Sequence, residues 1–340
     1  MYKSQIAKIN DDLIKTKKAI IAIGCSFVQG QGAVDDELYQ NYKWDYKEGI
    51  PLKIQVNFKQ RKRLFKSKPL LKPGQFTDID FTMMEYDNAF VSVLCKKYFN
   101  GEYTPINLGI RGCGNRASIK ELYMYPKIKW DIIEEIIVLY VPSGLERFDF
   151  VNDESIDHFN WKCMWPHYKD MEKGPRRSLW EGYAKSLSSD KFEVIEQISH
   201  VQELITWCKY KNAKLIVTPG FDRRYDKEYF KECLSNRVER HNELFVQSSK
   251  PLFGKNPSDK SHLLELFPWK KMFKPAGHTT FADLVIAKED KVKDKTDHYF
   301  QFLGKGSPDG WVTPCSHPSQ KGHDLFAKHL YTHITKKENL

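Results

Sequence analysis

The sequence predicts an α/β protein built on a parallel sheet. Short apolar runs alternate with helical stretches along the chain, which is the pattern of parallel strands joined by crossover helices. The run at 135–141 is continuous and rich in β-branched residues, as a buried strand is. A 340-residue chain with 41% hydrophobic residues also supports a substantial core.

The first half of the chain predicts three strands and two helices. Residues 19–24 are an uninterrupted apolar run that stops at a glycine. Apolar residues recur at helical spacing over 87–99, so a helix follows. Residues 103–108 predict the second strand, which opens into a glycine-rich segment, and 117–125 predicts the next helix. The third strand is 135–141.

The second half adds one strand and two helices. Apolar residues fall on one face over 194–210, and Asn212 closes that helix. Residues 214–218 predict the fourth strand. The last helix is predicted over 318–334, directly after a turn that contains His317.

Two long segments, 35–85 and 221–310, do not follow this alternation. Long excursions usually leave a compact domain at its functional edge. Neither segment has the pattern of an independent domain. We therefore expect a single domain over 1–340, with these segments as insertions that shape specificity.

Composition excludes several classes of protein. The seven cysteines include no Cys-x-x-Cys pair, so neither a zinc site nor a disulfide framework is predicted. No segment approaches the roughly 20 apolar residues that cross a bilayer. Residues 1–18 are polar and mixed in charge, unlike a secretory leader, which predicts synthesis in the cytoplasm and no membrane partner. The net charge of +10 favours anionic polymers without specifying one.

Two short motifs at opposite ends of the chain indicate chemistry. Ser26 follows the first strand, and the carboxyl edge of a parallel sheet is where ligands bind. A serine hydroxyl is a poor nucleophile until a base takes its proton. His317 is the candidate base, and Pro318 after it restricts it to extended backbone. Alternatively, Ser26 only caps the helix that follows.

Three segments resemble the SGNH, or GDSL-like, hydrolase family, in the divergent form met in bacteriophage-encoded members. They are Gly24-Cys25-Ser26-Phe27, Asn107 to Gly112, and His317 to His323, in family order. The resemblance implies a three-layer α/β/α sandwich with a short, flavodoxin-like parallel sheet. It also implies ester hydrolysis, with Ser26 as nucleophile, His317 as general base and the Gly112 N–H in the oxyanion hole.

Two departures from the family pattern concern activity. Pro314 stands where the family has an aspartate that orients the histidine, so Asp309 is the candidate acid. A Ser–His dyad oriented by a backbone carbonyl is the alternative. Ser143 stands near the family's oxyanion asparagine, and Asn115 is the candidate substitute donor. Loss of one such donor costs on the order of 10²–10³ in kcat.

Other candidate residues have simpler roles. Cys25 is the stronger intrinsic nucleophile, but strand alternation points it away from Ser26 and predicts a buried side chain. His323, in the last helix, is expected to pack or cap. The basic stretch 59–68 is typical of a solvated surface, and nucleic acid is not the expected partner. Trp161, Trp165 and Trp180 could stack on sugar rings or cover the core edge.

The preferred hypothesis is an acylesterase acting through acyl-Ser26, with O-acetyl groups of a polysaccharide as the first substrate to test and no metal or organic cofactor required. The alternative is an inactive member of the same fold that serves as a structural or adaptor protein, for instance with other proteins of a virus particle. The missing aspartate and asparagine motivate that alternative. Nucleic-acid binding through 59–72 is a third hypothesis.

Overall fold

The computed structural model describes residues 3–33, 46–47, 50–51, 84–110, 112–125, 127–152, 160–164, 178, 181–182, 189–235, 260–292, 299–302, 306–313 and 316–336. Most of the insertion 35–85, the basic stretch 59–68, Trp165 and Trp180 lie outside these residues. The strands are β1 Lys18–Gly24, β2 Tyr46–Lys47, β3 Ile50–Pro51, β4 Thr104–Asn107, β5 Glu135–Val141, β6 Phe148–Asn152, β7 Asn160–Met164 and β8 Lys214–Val217.

Among the described residues, the first five α-helices lie between or before these strands in the chain, and the last four follow β8. The α-helices are α1 Lys3–Thr16, α2 Ser26–Gln29, α3 Phe90–Val93, α4 Asn115–Lys120, α5 Asp190–Tyr210, α6 Lys227–Ser235, α7 Lys260–Leu266, α8 Phe281–Ile286 and α9 Gln320–Thr335. A π-helical turn, Leu94–Tyr98, extends α3. Within the described part of the chain, no helix has the length and apolar character that crossing a bilayer requires.

A four-stranded parallel sheet in the order β4-β1-β5-β8 forms the centre of the protein. Its strands fall where the apolar runs predicted them, since unbroken apolar runs are buried on both faces of a parallel sheet. β1 is central because it pairs with β4 on one side and β5 on the other. The predicted α/β class is confirmed.

Helices cover both faces of this sheet and make three layers. Alternate residues of β1 divide between two cores: Ile20 and Ala22 pack toward α3, α8 and α9. Ile21 and Ile23 pack toward α1 and α5 on the opposite face. Because strand side chains alternate, one buried strand joins the two cores.

The segment 221–310 contributes helices that strand–helix alternation did not predict. Phe230 on α6 and Phe267 after α7 are buried with α5 on one face of the sheet. Phe281 on α8 is buried on the other face, beside Phe326 of α9. Residues of this insertion therefore form part of the hydrophobic core. α1 and the β6–β7 hairpin were also not predicted.

Close backbone approach explains the glycine that ends β1. A Cβ atom on Gly24 would lie 2.3 Å from the carbonyl oxygen of Val141 and 2.6 Å from Cγ2 of Val28. Both are closer than non-bonded atoms approach. Only glycine allows the end of β1 to lie against β5 while α2 folds back over it.

Candidate active site

Ser26 is placed by the turn from β1 into α2. Cys25 has extended backbone, and its carbonyl oxygen accepts hydrogen bonds from the N–H groups of Val28 and Gln29. Ser26 is therefore the first helical residue, at the carboxyl edge of the sheet, and is 6% exposed. Cys25 is fully buried in the core, as strand alternation predicted.

The structure brings Ser26 and His317 together across 291 positions of sequence. The Ser26 Oγ and His317 Nε2 atoms are 2.6 Å apart. This distance is within the range at which a base takes a proton from a nucleophile. In that role Nε2 is the unprotonated nitrogen of the imidazole and accepts the hydroxyl proton.

A tight loop before α9 presents His317. Its carbonyl oxygen accepts hydrogen bonds from the backbone N–H (2.8 Å) and the Oγ1 hydroxyl (2.9 Å) of Thr313. Ser316 takes a left-handed conformation with φ of 59°, which costs a non-glycine residue on the order of 1 kcal/mol. The ring of Phe27 lies 5.1 Å from the imidazole, centroid to centroid. The loop and this ring together define where the imidazole can lie.

Asp309 lies in the preceding loop, and its carboxylate is bound by Lys291. One oxygen is 2.9 Å from Lys291 Nζ, and the other accepts the Lys291 backbone N–H at 3.2 Å. These bonds hold the pKa of the Asp309 carboxyl below its ordinary value. Among the contacts described for residues 306–313 and 316–336, none joins this carboxylate to His317. Its role as the acid partner stays a prediction.

A second carboxylate, Glu289, fixes the loop that leads to His317. Its side chain is fully buried and accepts the backbone N–H groups of Asp309 and Trp311, both at 3.0 Å. Lys321 donates to the Asp309 carbonyl oxygen and lies over the Trp311 ring, 5.1 Å from its centroid. The backbone of 309–311 is thus held from two sides.

The glycine-rich loop after β4 runs beside the end of β1. The Leu108 N–H donates to the Ala22 carbonyl, and the Ile110 N–H donates to the Gly24 carbonyl. The ladder between the two strands therefore continues past β4 and carries Gly112 toward the same edge as Ser26. Gly112 has φ of 69°, a left-handed conformation that glycine adopts without a steric penalty.

Asn115, the candidate side-chain donor, is hydrogen-bonded at both ends of its amide. Its Oδ1 accepts the Ser143 N–H at 2.8 Å, which links α4 to the end of β5. Its Nδ2 donates to the Tyr225 hydroxyl at 2.8 Å and to the Gly144 carbonyl at 3.5 Å. To reach an oxyanion, Nδ2 would have to release the longer bond. Its oxyanion role stays a prediction.

Two buried side chains bind this loop, and of these Asp149 was not recognised in the sequence. Asp149, 2% exposed, accepts the backbone N–H groups of Gly114 and Ala117. Burial raises the pKa of its carboxyl, and those N–H bonds oppose the rise. Ser143 is fully buried and donates to the Cys113 carbonyl at 3.3 Å. The one sequence feature that could have indicated a buried Asp149 is its position between two phenylalanines, Phe148 and Phe150.

The Cys113 thiol is not expected to compete with Ser26 as a nucleophile. It is 3% exposed, and its sulfur lies 3.1 Å from the Ser118 hydroxyl. Burial raises the pKa of this thiol well above its ordinary value, so the reactive thiolate is suppressed.

His323 packs and caps, as expected. Its Nδ1 accepts the backbone N–H of Phe90, the first residue of α3, whose N-terminal N–H groups have no partner within the helix. The side chain is fully buried between the rings of Phe90 and Phe281. Burial, and then the nearby His317, lower its pKa from 6.5 to about 3. The histidine is therefore neutral in the folded protein.

This neutral histidine predicts acid sensitivity. Below about pH 6.5 the unfolded chain binds a proton on His323 that the folded protein excludes, so stability falls as pH decreases toward about 3. The expected slope is about 1.4 kcal/mol per pH unit. His200, whose pKa burial lowers to about 4, adds a similar contribution.

Urea unfolding between about pH 4.5 and 6 measures this slope, within the window set by the ordinary and folded pKa values of His323. His323→Asn keeps an acceptor for the Phe90 N–H but cannot titrate, so its slope should be smaller by the contribution of one histidine. The exposed His262→Asn serves as the matched control and should keep the wild-type slope. Equal slopes for wild type and His323→Asn would contradict the assignment.

No family model and no curated protein matches the sequence. A carbohydrate esterase, whose active site is described as displaying divergent catalytic and non-catalytic binding functions, matches the structure with a TM-score of 0.40 and 11% identity. The match covers 95% of this chain and 69% of the other. The fold assignment rests on the parallel sheet and its two helical layers.

Proposed function

We propose that the protein is an ester hydrolase of the SGNH type that works through an acyl-Ser26 intermediate. The observation that carries this proposal is the 2.6 Å contact between Ser26 Oγ and His317 Nε2 at the carboxyl edge of the sheet. A nucleophile and a base at this separation are the minimum that acyl transfer requires. Their meeting also agrees with the roles that the resemblance implies.

The proposed reaction has two halves. In acylation, Ser26 Oγ attacks the ester carbonyl carbon while His317 Nε2 takes its proton. The tetrahedral intermediate collapses, the bond to the alcohol oxygen breaks, and His317 returns the proton to the departing alcohol. In deacylation, His317 takes a proton from water, and the water oxygen attacks the acyl carbon. The second tetrahedral intermediate collapses with cleavage of the bond to Ser26 Oγ, His317 returns the proton to Oγ, and the carboxylic acid leaves.

The negative oxygen of each intermediate needs hydrogen-bond donors. We assign the backbone N–H groups of Ser26 and Gly112 to this role, and Asn115 Nδ2 as a third donor if it leaves the Gly144 carbonyl. Preorganised donors of this kind commonly contribute the largest share of rate acceleration. The loop that carries Gly112 is bound to the end of β1 by the Ile110 N–H, which supports this assignment.

The proposed substrate is an O-acetyl ester on a polysaccharide. The resemblance is the source of that choice, and the net charge of +10 is compatible with an anionic polymer. A series of p-nitrophenyl esters from acetate to octanoate tests the acyl preference. Acetate release from an acetylated polysaccharide tests the alcohol preference.

A fluorophosphonate probe tests the nucleophile before any substrate is known. The full-length protein is incubated with the probe, digested and mapped by tandem mass spectrometry. We expect phosphonylation of Ser26 and faster turnover of acetate than of octanoate. Labelling at another residue would contradict the assignment of Ser26 as nucleophile. No labelling together with no ester turnover would contradict the proposal as a whole and favour the alternative of an inactive structural protein.

A further inference from the structure

The loop 112–117 depends on residues outside itself for its conformation. It comprises the last residues before α4 and the first three residues of that helix, and it carries Gly112 and Asn115, both proposed oxyanion donors. The residue that precedes α4 is Gly114, which has no side chain that could cap the helix. The N–H groups of a first helical turn need acceptors, and here the acceptors come from another part of the chain.

Asp149 supplies them from the start of the β6–β7 hairpin. Its Oδ1 accepts the Gly114 N–H at 2.7 Å, and its Oδ2 accepts the Ala117 N–H at 2.9 Å. The fit is close, because a Cβ atom on Gly114 would lie 2.7 Å from Asp149 Oδ2 and 2.9 Å from the Arg147 carbonyl oxygen. One buried carboxylate thus binds two points of the loop.

Arg147 binds the residue between Gly112 and Gly114. Its Nη1 donates to the Cys113 carbonyl oxygen at 2.9 Å, and its guanidinium lies over the Phe221 ring, 4.9 Å from the centroid. Phe221 in turn packs on Phe27, with centroids 5.4 Å apart, and Phe27 contacts His317. The guanidinium is therefore anchored on the aromatic cluster beside the proposed base.

We propose that Arg147 and Asp149 are positioning residues that hold the loop 112–117 in the conformation required for oxyanion stabilisation. The inference rests on the proposed function. Arg147 binds the Cys113 carbonyl and Asp149 binds the Gly114 N–H, which are the two ends of one peptide group. Asp149 also binds the Ala117 N–H in the first turn of α4. A peptide group whose carbonyl is held by a cation and whose N–H is held by an anion has little freedom to turn.

Asp149→Asn is the sharpest test, because it keeps the shape of the side chain. The asparagine Nδ2 would face one of the two N–H groups, donor against donor, so one bond is lost. Asp226→Asn is the control for removing one negative charge: Asp226 Oδ1 accepts two backbone N–H groups, those of Glu228 and Tyr229, at the start of α6, and an asparagine Oδ1 can keep both bonds. Arg147→Met is a second variant, and this half-exposed position tolerates the change more readily than a buried one.

Two readouts separate this inference from the proposed function. Amide exchange at 112–120 reports the loop without any activity, and it should accelerate in Asp149→Asn but not in Asp226→Asn. The second readout applies if the probe phosphonylates Ser26 of the wild-type protein. In that case both Asp149→Asn and Arg147→Met should lower the labelling rate and kcat ten- to a hundredfold. KM should change less than threefold, consistent with the loss of a transition-state interaction alone.

Three results would overturn the inference. One is unchanged exchange in Asp149→Asn, and another is faster exchange with wild-type labelling and kcat. The third is a rise in KM at constant kcat, which would assign these residues to substrate binding. If Asp149→Asn does not fold, Arg147→Met decides by the same measurements. A wild type that is neither labelled nor active on esters would overturn the proposed function instead, while amide exchange in Asp149→Asn would still report on whether Asp149 holds the loop 112–117.

Discussion

Replacing Ser26 with alanine should abolish phosphonylation and lower ester turnover by about 10⁴- to 10⁶-fold, as loss of a serine nucleophile does elsewhere. The physical reason is that the acyl-enzyme cannot form without the Oγ atom. Residual hydrolysis would come from donors that still bind the oxyanion. The measurement is kcat on p-nitrophenyl acetate, with thermal unfolding to show that the variant is folded.

Cys25→Ala is the control for this substitution. Cys25 precedes Ser26 and is the stronger intrinsic nucleophile, but it is fully buried in the core. We expect less than a tenfold change in kcat and unchanged labelling of Ser26. If Cys25→Ala lost labelling while Ser26→Ala kept it, the assignment of the nucleophile would be wrong.

Loss of the His317 imidazole should have the second largest effect. Among the described contacts, the His317 imidazole is the one side chain within hydrogen-bond distance of Ser26 Oγ, and His317→Ala removes it. General acid–base catalysis contributes about 10²- to 10⁴-fold, so kcat should fall by that factor while KM changes little. Added imidazole should restore part of the rate, because the truncated side chain leaves space beside Phe27.

The exposed His262→Ala provides the control and should retain wild-type kcat with or without imidazole. Wild-type kcat in His317→Ala would show that another group takes the Ser26 proton. Rescue by imidazole in that variant, and in no other, would identify the lost function as proton transfer rather than folding.

The sheet could be predicted because its strands are local features. β5 falls at the predicted residues, and β1, β4 and β8 differ from prediction by a few residues at most. Strands buried on both faces are continuous apolar runs, and such runs are visible without knowing their neighbours. α5 was predicted from its apolar face, and its actual start at Asp190 follows a cap in which Ser189 Oγ accepts the Phe192 N–H.

Three of the helices that were missed depend on tertiary contacts. α6, α7 and α8 are nine residues or shorter, and such helices are marginal in isolation. Their buried rings, Phe230, Phe267 and Phe281, stabilise them only when packed against the rest of the core. Their periodicity is too brief to stand out from the surrounding polar sequence.

The sequence by itself determined the fold class, the strands of the central sheet, and the two residues that meet at its edge. Ser26 and His317 could be named because each lies in a turn whose residues restrict the backbone: a glycine before the serine and a proline after the histidine. Their 2.6 Å contact required the fold.

Only the tertiary structure decided how the loops around that pair are held. Asp149 binds N–H groups 32 and 35 residues earlier, and Glu289 binds N–H groups 20 and 22 residues later. The structure likewise placed the Asp309 carboxylate on Lys291. Such contacts join a side chain to the backbone of another segment, so they leave no periodic pattern in the sequence. They form because a buried carboxylate and a buried N–H group each lose free energy of hydration that only the other can replace.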